Sequence, residues 1–69
     1  MFLLSSVIVF SQSYHTSSKK AVNFFKKAHQ EFLNENYEEA LALTDKALDK
    51  DGDFIDAVLL KAEICLELN

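Results

Sequence analysis

Ala21, Phe24, Phe25, Ala28 and Phe32 recur at steps of three and four, a spacing that lines them along one stripe of an α-helix. Tyr37, Ala40, Leu41, Ala47 and Leu48 form a second such stripe. A third segment, from about Phe54 to Leu68, is apolar around most of its circumference, with Ile55, Ala57, Val58, Leu59, Leu60, Ala62, Ile64, Cys65 and Leu66 between its ends. One glycine and no proline in 69 residues leave little turn chemistry for a β architecture, so the expected fold is all-α: three helices in antiparallel helix-turn-helix order. The length holds one small unit and excludes a multidomain enzyme. A core of this size supplies only about 3–5 kcal/mol, so the chain is expected to associate or to belong to something larger.

The breaks between stripes carry helix punctuation. Asn34-Glu35-Asn36 interrupts the first, and Asn36 with Glu39 three residues on predicts a capping box for the second. Gly52 is expected to stop the second helix in a left-handed conformation, with Lys46 and Lys50 favouring its end, and Asp53 with Asp56 to cap the third.

Charge is divided along the chain. Residues 1–30 hold four lysines and no acid, and residues 31–69 hold eleven acids and three lysines, giving +4 and −8. The acidic bulk and the lack of arginine argue against nucleic acid, whose phosphates demand a basic footprint. Lys19, Lys20, Lys26 and Lys27 read as the solvated side of a helix.

Met1–Phe10 is a short apolar run, too short to cross a hydrocarbon core of about 30 Å as a helix, so no stable membrane span is expected. It suits the apolar region of a secretory signal peptide, with small residues Ser11 and Ser13 placed for cleavage before Tyr14, although no Lys or Arg precedes it. The alternative is a cytoplasmic chain whose β-prone Val7–Phe10 arm packs on a partner. Segment 1–13 is thus a leader or arm, 14–19 a connector and 20–69 the helical region.

The groups able to do chemistry form no constellation, so neither enzymatic activity nor a cofactor is expected. His15 lies in a Ser/Thr-rich connector and is expected to be exposed, and His29 has Lys26 and Lys27 beside it rather than an orienting carboxylate. Cys65 lies in the most apolar helix and is expected to be a small buried hydrophobe. It has no second cysteine for a disulfide or a thiolate zinc site. The pairs Glu38-Glu39 and Asp49-Asp51 read as solvated charges at helix ends. Asp49, Asp51 and Asp53 alternate like the opening of a calcium loop, but the closing acid is replaced by Leu60.

A shift of 34 residues superposes Ala21 on Ile55, Phe24 on Val58, Phe25 on Leu59, Lys27 on Lys61, Ala28 on Ala62 and Phe32 on Leu66. That period, with a large residue at Phe24, a small one at Ala28, and Tyr37, Ala40 and Ala47 in the next helix, resembles the tetratricopeptide repeat. Residues 20–69 resemble one repeat plus the first helix of the next; Thr44 stands where an aromatic is usual and Gly52 where proline is usual. The leader, the Tyr-containing connector and Lys19-Lys20-Ala21 further resemble the start of exported Bacteroidetes-type repeat proteins that continue into OmpA-like domains. The resemblance implies a bacterial envelope location, periplasmic or outer-membrane associated, and no cell-wall-binding residue in this chain.

The resemblance also implies a protein-interaction role, with first helices lining a groove that presents Phe25, His29, Leu59 and Glu63 to a peptide or helix. A terminal-carboxylate clamp is not expected, because the family positions for its Lys and two Asn hold Phe25, His29 and Leu60. The alternative is structural: a helical fragment that self-associates through Phe54 to Leu68, with no separate ligand.

Overall fold

A computed structural model describes residues 14–69, so the leader or arm expected over 1–13 lies outside the described residues. The described residues form α1 (Lys19–Leu33), α2 (Tyr37–Lys50) and α3 (Ile55–Leu68), with no strand among them. The all-α helix-turn-helix architecture expected from the apolar spacing is what the described residues adopt. α2 lies between the other two helices, and α1 and α3 touch least.

α1 starts one residue before the periodic pattern implies, because Ser18 caps it: the Ala21 N–H donates to Ser18 Oγ at 3.1 Å. Its other end is closed by backbone. Glu35 takes a positive φ of 64°, its N–H donates to the Phe32 carbonyl at 3.0 Å, and the Asn36 N–H donates to the Glu31 carbonyl at 2.9 Å. These are the paired bonds of a Schellman ending, built here on a residue with a Cβ. The capping box expected at α2 does not form. Glu39 would need the Asn36 N–H, which Glu31 has already taken, and the Asn36 side chain turns back to donate to Glu31 Oε1 at 2.7 Å.

The second turn also departs from expectation. Gly52 has no positive φ; α2 ends on Asp51 in extended backbone, and the Asp53 N–H donates to Asp51 Oδ1 at 3.1 Å. A Cβ on Gly52 would meet nothing nearer than the Leu48 carbonyl at 3.9 Å. The cap position of α3 holds Phe54 rather than Asp53, and no side chain caps it. The magnitudes explain the choice: a side-chain cap contributes about 1 kcal/mol, whereas burying a phenylalanine contributes about 1.5–3 kcal/mol. Phe54 is completely buried.

Two clusters make the core. Ala21, Ala47, Phe54 and Ala57 form one, and Ala28, Ala40, Leu60 and Ile64 the other, with Phe25 packed against both. Alanines at the crossings let backbones come close where a longer side chain would hold them apart. Thr44 is also buried, and its hydroxyl donates to the Ala40 carbonyl at 2.7 Å, so the site that holds an aromatic in the resembled family is here filled by a small, satisfied side chain.

Ala28→Leu or Ala40→Leu is expected to lower unfolding free energy by about 1–3 kcal/mol in urea denaturation through overpacking. Glu35→Gly is expected to raise it by about 0.5–1 kcal/mol by relieving the left-handed backbone, and Gly52→Ala to leave it unchanged or raise it, by up to about 1 kcal/mol. A large loss for Gly52→Ala would show that the turn needs glycine after all.

Candidate protein-interaction surface

Phe25 and His29 lie one turn apart on α1, where helical spacing stacks their rings with centroids 6.1 Å apart and planes at 15°. Phe25 is half-buried, because its other side tilts against Phe54 at 5.3 Å, and His29 is exposed. Leu59 and Glu63 lie one turn apart on α3 and are both exposed. The fold therefore joins Phe25 to His29 by direct stacking and links α1 to the start of α3 through Phe25 and Phe54.

The connector takes part in this surface, which the sequence pattern did not signal. Tyr14 meets Phe25 edge-on at 5.7 Å and Phe54 at 6.4 Å, and Lys26 Nζ stands 6.0 Å from its ring centre. His15 is exposed, as its composition context implied, yet both its backbone N–H (3.3 Å) and its ring Nδ1 (2.7 Å) contact Asp56 Oδ1. The Thr16 hydroxyl donates to Asp51. Residues 14–16 thus tie the start of α1 to the α2–α3 turn and the first turn of α3. Asp51 and Asp56, expected as a solvated helix-end charge and a helix cap respectively, serve as acceptors for this strap. No short-range pattern encodes a contact between residues 41 positions apart.

Cys65 is exposed, against the expectation that it is buried. The buried line of α3 runs through Ala57, Leu60 and Ile64, and residue 65 is turned about a quarter-circle away from Ile64 on a face that no helix covers. That same uncovered side exposes Ile55, Val58, Leu59 and Leu66. Leu59 is 62% and Leu66 73% accessible.

The electrostatics of α3 differ from edge to edge. Lys61 Nζ reaches Asp45 Oδ1 of α2 at 2.9 Å, and this bond, with the attraction of the same carboxylate, raises the lysine above its ordinary value. Glu63 and Glu67 are exposed on the other edge. The Tyr37 phenol is held above its ordinary value by desolvation first, then by Glu67 and Glu35. It sits in a shallow, acidic hollow of about 480 Å³ lined also by Glu38, Glu39 and Leu68, which shares no residue with the four groove positions. The lysines of α1 are solvent-exposed, as expected, and Lys20 and Lys27 border a hollow of about 370 Å³ with Phe24 and Lys50.

Comparison with protein-family models, with curated proteins and with solved structures finds no match. No helix among the described residues is long and apolar enough to cross a membrane.

Tyr14→Ala removes two edge-on ring contacts and is expected to cost about 1–2 kcal/mol in denaturation, with helix content by circular dichroism preserved. Unchanged stability would show that the strap contributes nothing to the fold.

Proposed function

We propose that the chain is a non-enzymatic protein-interaction module of the tetratricopeptide type, taking a peptide or helix through a groove to which Phe25, His29, Leu59 and Glu63 contribute. In this reading it is the N-terminal part of a longer exported envelope protein, with segment 1–13 as its leader. The observation that carries the interaction role is the row of accessible apolar side chains on α3, above all Leu59 and Leu66. Isolated exposed leucines are ordinary on a protein surface, but a row along one helix is the signature of a face that another polypeptide covers. The stacked Phe25–His29 pair adds an aromatic platform, with a polar ring at its solvent side, on α1.

The same row favours a second reading, self-association through α3, in which Ile55 to Leu68 carries the contact and Phe54, being buried, takes no direct part. One pair of measurements separates them. Peptides selected from a random library on the immobilised chain are expected to bind about ten-fold more weakly to Leu59→Glu or His29→Ala, while sedimentation equilibrium of the free chain gives a monomer. Selected peptides that ignore all four positions overturn the groove. Dimers dispersed by Leu59→Glu with Leu66→Glu establish the second reading instead.

A further inference from the structure

The apolar row on α3 has an internal counterpart. Under the 34-residue shift, Ile55, Val58, Leu59, Ala62 and Leu66 occupy the places of Ala21, Phe24, Phe25, Ala28 and Phe32 on α1. In α1 that sector is covered: Ala21 and Ala28 are completely buried, the first packed with Ala47 and the second with Ala40, both from α2, and Phe24, Phe25 and Phe32 are half-buried. In α3 the same sector is open, with Ile55 54% accessible and Ala62 exposed. The two helices share an apolar layout but differ in whether a helix covers this sector: α2 lies on it in α1, whereas in α3 α2 packs on the opposite face, along Ala57, Leu60 and Ile64.

Charge says what kind of neighbour fits. α1 carries four lysines and one acid, net +3, and the helix lying on it, α2, carries four acids and two lysines, net −2. α3 carries Asp56, Glu63 and Glu67 against Lys61, net −2; Lys61 is engaged by Asp45 and Asp56 by His15, which leaves Glu63 and Glu67 as the exposed charges. Helical spacing places Asp56, Glu63 and Glu67 together along one edge of the open sector. A second copy presenting its own α3 antiparallel would bring two acidic edges together, which like-charge repulsion opposes. We propose that the open face of α3 docks a basic amphipathic helix of another polypeptide, lying antiparallel to α3 as α2 lies on α1, with a small residue over Ala62 and cations along the Glu63 edge. This rests on the interaction role proposed above and names its partner class.

The test uses two peptides that share one apolar face. The first has the sequence of residues 36–50, net −2; the second has the same sequence with Glu39→Lys, Asp45→Lys and Asp49→Lys, net +4, all three positions being exposed on α2. Fluorescence anisotropy of each labelled peptide with the full chain is expected to show the basic one binding about ten-fold more tightly, with the preference shrinking as salt rises. Leu66→Glu, at a surface position that leaves the core intact, is expected to abolish binding, with Val58→Glu as a second variant and circular dichroism confirming that both remain folded. Equal affinities, no binding of either peptide, or binding that survives both substitutions overturns the proposal. Binding of the basic peptide that is lost with His29→Ala but kept with Leu66→Glu overturns the α3 docking and leaves the groove standing. Dimers of the free chain dispersed by Leu66→Glu identify a second copy as the occupant and overturn it as well.

Discussion

Close approach at alanine is the constraint on which the rest of the structure depends. Ala40 and Ala47 of α2 meet Ala28 and Ala21 of α1, and the same two clusters take in Ala57, Leu60 and Ile64 of α3. Because α2 is slim where it crosses, it packs on both neighbours at once, and a chain of this length obtains two core clusters from one central helix. The limit of that economy is geometric. α2 shields one side of α3 and cannot reach the other, so the opposite face of α3 stays in water.

Helix existence and the buried face of α1 and α2 were legible because apolar spacing is a local signal that burial directly enforces. The ends were less so, and for a specific reason. At Asn36 the sequence offers a cap, but a Schellman ending on α1 competes for the same N–H and wins, so the Asn side chain is spent on Glu31 instead. At Phe54 burial outweighs capping, and at Gly52 the extended Asp51 completes the turn before any left-handed residue is needed. Capping rules describe one helix end at a time; here each turn serves two helices and the outcome depends on both.

The candidate surface divides in the same way. Phe25 and His29 could be placed on one helix side by spacing alone, and their stacking follows from that. The strap could not: His15 with Asp56, Thr16 with Asp51 and Tyr14 with Phe54 are contacts across the whole helical unit, and residues 14–16 have no periodicity to read. Cys65 is exposed although its helix is apolar, because only one of the apolar faces of α3 has a neighbour and residue type alone does not tell which. The near-uniform apolarity of α3 did carry information, but about what the helix lacks rather than where it sits.

Exposure of that face would link the proposed binding to stability. Beyond Ile64 no residue of α3 is buried, so its last turn holds its backbone bonds with little tertiary support, chiefly Leu68 and Glu67 beside Tyr37. A helix laid over Leu59, Ala62 and Leu66 would bury apolar side chains and order that turn in one step. A ligand that binds only the folded chain stabilises it by mass action, to about 2.7 kcal/mol at a hundred-fold excess over its dissociation constant. For a unit whose own core supplies only about 3–5 kcal/mol, occupancy of the face would add a large share of total stability. Under the proposed docking, the uncovered side of α3 would be a site where partner and fold support each other, and a polar substitution there would affect the complex far more than the free chain, because in the free chain those side chains already face water.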